Sequence, residues 1–99
     1  MLIGFCQRSR LLALPLTAGK HLMEIPVAFG KAVKIRRIEL SISQEDLANR
    51  AGLSRSFLSG VELGNRQASV STVWRLAEAL ECQPSDLWLK AEALIVGEG

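Results

Sequence analysis

Ser43–Arg66, SQEDLANRAGLSRSFLSGVELGNR, reads as two short helices joined by a tight turn. Ser43 is a good N-cap, and Asp46 three residues on supplies an acidic variant of the capping box. Glu45 and Asp46 fall in the first turn, where the helix dipole favours carboxylates. Leu47, Ala48 and Ala51 form the apolar stripe of a short amphipathic helix. Gly52 stops that helix by taking the left-handed conformation cheaply, and Leu53 is the apolar contact of the turn. Ser54 then caps a second helix in which Leu58 and Val61 point inward and Arg55, Ser56 and Ser59 face out. Gly64 ends it.

Working outward, Pro26 is suited to a first helical position and opens a helix to about Leu40, with Val33, Arg37, Ile38 and Leu40 facing inward. Ser69 caps a fourth helix to about Leu80, whose inward stripe is Val70, Val73, Leu76, Ala77 and Leu80. Cys82-Gln83 forms a turn, and Pro84 opens a fifth helix through Leu94 with Asp86 in its first turn. No segment carries the alternation of a strand. The expected fold is all-α, a compact five-helix domain over residues 26–95 with the helix-turn-helix at helices 2 and 3. Residues 96–99 are expected to fray.

The 99 residues make one domain at most, and the net charge of +2 is small. Its distribution is not. Lys31, Lys34, Arg36, Arg37, Arg50, Arg55 and Arg66 face Glu39, Glu45, Asp46 and Glu62 in the stretch up to Arg66. Beyond it, Arg75 and Lys90 stand against Glu78, Glu81, Asp86, Glu92 and Glu98. The basic half coincides with the helix pair, as for a small protein with one DNA-facing side. A short helix with a polar, basic outer face, held at a steep angle by a glycine turn, also has the shape that enters a DNA major groove.

Residues 30–88 resemble the Xre, or phage Cro/repressor-type, helix-turn-helix family. The resemblance rests on Gly30, Val33 and Arg37, then Ser43-Gln44-Glu45-Asp46-Leu47-Ala48 and Gly52-Leu53-Ser54. Ser59, Glu62-x-Gly64 and Leu76-Ala77-Glu78-Ala79-Leu80 complete it. It implies a structural ion pair between Arg37 and Glu62 and DNA contacts from Arg55, Ser56 and Ser59. It also supports Gln44 as a phosphate anchor beside the cap Ser43, at a helix start whose N–H groups already favour an anion. Arg55 suits a base reader, since a guanidinium can bond both O6 and N7 of guanine, with a phosphate clamp as the competing role. Ser54 can bond phosphates or base edges; Asn65 and Arg66 are backbone contacts, Arg66 a phosphate ligand. Gly60 departs from the family, which usually has a longer polar residue there. A helical glycine costs about 1 kcal/mol against alanine. At this position it either lets DNA approach more closely or removes a reading contact.

Residues 1–25 form an N-terminal extension, and Met23 is a candidate for the true start. Arg8 and Arg10 precede a short apolar run, Leu11–Leu16, but Pro15 breaks it, which argues against a secretory signal. Cys6 and Cys82 lack paired spacing and read as free thiols in a reducing cytoplasm, and His21 is alone, so no metal or cofactor is expected. Glu45/Asp46 and Glu78/Glu81 are explained by helix-start electrostatics and a solvated face, so catalysis is not expected. The fifth helix carries more apolar surface than a lone domain can bury; Leu87 closes the core, leaving Trp88, Leu94 and Ile95 as a dimer seam. The combined reading is a cytoplasmic, homodimeric transcriptional regulator on a pseudo-palindromic operator. The alternatives are an antitoxin, a restriction–modification controller, or an interaction module that has lost DNA binding.

Overall fold

The computed structural model describes residues 23–97; the expectations placed on residues 1–22, Cys6 and His21 among them, and on 98–99 lie outside it. The described residues form five helices and no strand: α1 Ile25–Glu39, α2 Gln44–Ala51, α3 Arg55–Leu63, α4 Val70–Ala79 and α5 Pro84–Ile95. Serines open three of them. The Oγ atoms of Ser43, Ser54 and Ser69 accept from the backbone N–H groups of Asp46, Phe57 and Thr72 at 3.0, 3.0 and 3.2 Å. At α5 the reciprocal arm of a capping box is present, Gln83 N–H donating to Asp86 Oδ2 at 2.9 Å. Val96 and Gly97 follow α5 in a turn, their N–H groups bonded to Glu92 and Leu94 carbonyls at 3.1 Å each.

Two helices end in the same way. Gly52 and Gly64 have φ of +70° and +84°. Leu53 N–H reaches Ala48 O at 2.8 Å, and Asn65 N–H reaches Gly60 O at 2.8 Å, the long bond of a Schellman turn in each case. Those two turns set the exit directions of α2 and α3.

Leu47, Leu58, Leu76, Leu80, Leu87, Val33 and Val61 are fully buried and join all five helices in one core. Each contributes about 1.5–3 kcal/mol by leaving water. A second, smaller cluster packs Ala28 and Ala32 of α1 against Ala91 of α5, with Leu94 and Ile95 alongside. Two inward assignments are corrected. Ile38 is exposed, because Ala28, Phe29, Ala32 and Val33 set the buried face of α1 and 100° per residue puts position 38 on the opposite side. Val70 is also exposed, standing at the first position of α4 beyond the core; Thr72 is buried in that turn, its Oγ1 accepting from Ser69 Oγ at 3.0 Å.

Small residues let α1 lie unusually close to α3. Gly30 is buried, and a Cβ there would overlap the Val61 carbonyl oxygen and stand 2.8 Å from that of Glu62. Only a missing side chain permits this backbone approach, which carries Arg37 over the end of α3.

Candidate nucleic-acid interface

Arg37, Gln44 and Glu62 meet at one node. Arg37 Nε donates to Glu62 Oε2 at 2.7 Å and Nη2 to Oε1 at 3.1 Å, a two-pronged ion pair. Its remaining nitrogen, Nη1, holds the Ile42 carbonyl at 3.0 Å. The Glu62 side chain is 2% exposed and that of Arg37 13%. Gln44 Nε2 donates to Glu62 Oε1 at 2.9 Å. One carboxylate thereby ties the end of α1, the start of α2 and the end of α3. Among the described residues, every buried side-chain nitrogen and oxygen has a partner.

The node fixes how α3 stands against α2. Leu58, Val61 and Glu62 are the buried residues of α3, and they lie on one side of it. Arg55 and Ser56 are exposed on the other, with Ser59 and Gly60 partly so. Ser43 and Ser54 are exposed and use their Oγ lone pairs as caps, which leaves each hydroxyl hydrogen free to donate outward. Gln44 is half-buried; with one N–H held by Glu62, its amide keeps a second at the α2 N-terminus. Asn65 and Arg66 are exposed just after α3, and both donate their backbone N–H to Gly60 O, at 2.8 and 3.1 Å.

Residues 33–87, more than half of the chain, match a family profile described as helix-turn-helix. The chain belongs to the Xre-type helix-turn-helix family. It is a family of DNA-binding regulators. Over 66 residues, 64% of this chain and 79% of the relative, it is 39% identical to the control protein C.BamHI of Bacillus amyloliquefaciens. The restriction–modification controller protein C.AhdI of Aeromonas hydrophila superposes with a TM-score of 0.62 at 40% identity, covering 63% of this chain and 94% of that one. The clp gene regulator ClgR of Corynebacterium glutamicum shares the fold at a TM-score of 0.72 and 22% identity, over 75% and 95% of the two chains.

Within this Xre-type domain the charge count needs one correction. Arg36 and Arg37 are not free for a ligand. Arg36 Nε and Nη2 hold the carbonyls of Leu80 and Glu81 at 3.0 and 3.2 Å, satisfying the end of α4, and Arg37 belongs to the node. Lys31, Lys34, Arg50, Arg55 and Arg66 remain exposed.

The apolar surface of α5 is also redistributed. Trp88 stacks at a tilt on Phe29, ring centroids 4.8 Å apart, yet is 44% exposed. Leu94 and Ile95 pack partly onto the alanines of α1. Ile25 and Leu89, 59% and 48% exposed, join Trp88 along a groove of about 530 Å³. Neither Ile25 nor Leu89 stands out in the sequence as part of a seam. The signal for Ile25 is faint, because one apolar residue ahead of Pro26 reads as a helix start. For α1 a clearer one exists: Ala28 and Ala32, four apart, mark a close-packed face.

Cys82 is half-buried, and burial raises its thiol pKa above the ordinary value, with the Arg36 charge opposing in part and Asp86 adding to the rise. A thiol so placed is a poor nucleophile at neutral pH. Among the described residues no cluster of His, Cys, Asp and Glu could hold a metal, and no helix is long and apolar enough to cross a membrane.

Proposed function

We propose that this chain binds a pseudo-palindromic operator in double-stranded DNA as a homodimer and regulates transcription as a controller of the restriction–modification type. The observation that carries the reading is the Arg37–Glu62–Gln44 node, which presents Arg55 and Ser56 outward on α3. In this arrangement α3 enters the major groove. Arg55 reads guanine; Ser54, Ser56 and Ser59 contact base edges or phosphates. Ser43, Gln44, Asn65 and Arg66 hold the backbone and set register. The identities of 39% and 40% with two controller proteins favour that class over an antitoxin. The polarised charge speaks against an interaction module without DNA binding. A cytoplasmic location follows from that role.

Selection of bound sequences from random DNA tests the reading, with two half-sites about one helical turn, roughly 34 Å, apart as the expected result. Enrichment of no sequence at all would sink it. On the selected operator, Arg55→Ala should lower affinity at least about fivefold more than on random DNA, since a two-pronged base contact contributes about 1–3 kcal/mol of discrimination. Equal losses on both DNAs would make Arg55 a phosphate clamp.

The dimer seam is assigned to Ile25, Trp88, Leu89, Leu94 and Ile95, where the half-exposed indole of Trp88 bridges the monomer core and the groove. Trp88→Glu should convert dimers to monomers in sedimentation velocity. A dimer of unchanged strength would move the interface elsewhere.

A further inference from the structure

Gly60 lies on the outward side of α3, the side proposed to face DNA, and the space beside it is filled. A Cβ built there would stand 2.5 Å from Cγ of Arg66 and 3.3 Å from its Cβ, so the Arg66 stem already occupies the place of a side chain at 60. The Arg66 backbone is tied to the same residue through its N–H to Gly60 O at 3.1 Å. Its guanidinium carbon lies 6.0 Å from the ring centroid of Phe57, one turn back along α3 and at the outer range of a cation–π contact. Three observations thus place a loop arginine across the outer surface of α3.

We infer that Gly60 is a positioning residue for Arg66: by lacking a side chain it lets the Arg66 stem lie on α3 and holds the guanidinium beside the Phe57 ring. The inference rests on the proposed DNA-binding function. It assigns the glycine a role distinct from the two the sequence left open, closer DNA approach or a lost contact. Phe57 supplies the rest against which the cation lies. Ordering Arg66 before binding reduces the side-chain entropy lost when it clamps a phosphate. Alanine at 60 would lift the stem from its seat without touching the core, since Gly60 is partly exposed.

The test is a cycle of Gly60→Ala, Arg66→Ala and the double variant, read by DNA affinity and by thermal unfolding. Arg66→Ala should weaken binding about tenfold on operator and random DNA alike and make the salt slope shallower by about 0.9, the signature of one phosphate contact. Gly60→Ala should reproduce much of that loss. In the Arg66→Ala background it should cost nothing further. A further loss in that background would mean that glycine serves DNA approach; no loss in either background would overturn the seat altogether. Thermal unfolding separates this from the DNA reading. With Arg66 truncated, Gly60→Ala should raise Tm by about 4 °C from helix propensity, and by clearly less with Arg66 intact. Equal gains in both backgrounds would refute the seat even in a protein that binds DNA.

Discussion

Glu62→Ala should lower the free energy of unfolding by about 3 kcal/mol, a large share of the stability of so small a domain. The carboxylate is almost wholly buried and accepts from Arg37 Nε and Nη2 and from Gln44 Nε2. Removing it strands a guanidinium that is itself largely out of water, and this uncompensated charge, not the lost pair alone, sets the size of the effect. Arg37→Ala should cost a similar amount, because it leaves the carboxylate buried and also releases the Ile42 carbonyl. Replacing both partners by apolar residues, Arg37→Met with Glu62→Leu, should cost less than either truncation, since no charge is then left in the interior. Urea unfolding of the four proteins measures this directly. Losses that simply add across the pair would show that the two side chains do not depend on each other. Operator affinity should fall in every one of these variants, since the node sets the angle between α2 and α3.

Gly30→Ala should destabilise by about 2–3 kcal/mol, against the gain of about 1 kcal/mol that alanine brings to an unhindered helix position. The added methyl would meet the carbonyl oxygens of Val61 and Glu62, which are backbone atoms of the last turn of α3, Val61 O accepting from Gly64 N–H at 3.0 Å, and cannot rotate away as a side-chain tip could. Relief requires α1 and α3 to separate, and separation draws Arg37 from Glu62. The effect should therefore be coupled to the node: in a Glu62→Ala background, Gly30→Ala should cost measurably less. Differential scanning calorimetry would show the drop in Tm. A rise would mean that the helices already sit far enough apart for a methyl.

The helix pair, its caps and its glycine stops were readable because they depend on neighbours within four residues. Ser43 and Ser54 bond N–H groups three positions on, and Gly52 and Gly64 turn the chain locally. The all-helical character follows equally from short-range periodicity. Ile38 and Val70 look inward-facing by apolar character alone, but the phase that Ala28, Phe29 and Ala32 set in α1 turns Ile38 to solvent, and Val70 stands at the first position of α4, beyond the core. Arg36 hides its role for a related reason, as a guanidinium that closes a helix end looks in sequence like one left in solvent.

The division falls along distance in the chain. Five helices, two turns, a DNA-binding family and the polar side of α3 are legible in the chain, since each of these is written in contacts of short range or in a family pattern. Packing alone reveals that Gln44 leans on Glu62, that Arg36 closes α4, that Gly30 is a backbone contact and that the Arg66 stem lies beside Gly60. Those relations join residues brought together by packing, and the chemistry of a residue type does not reveal which partner the fold will set against it.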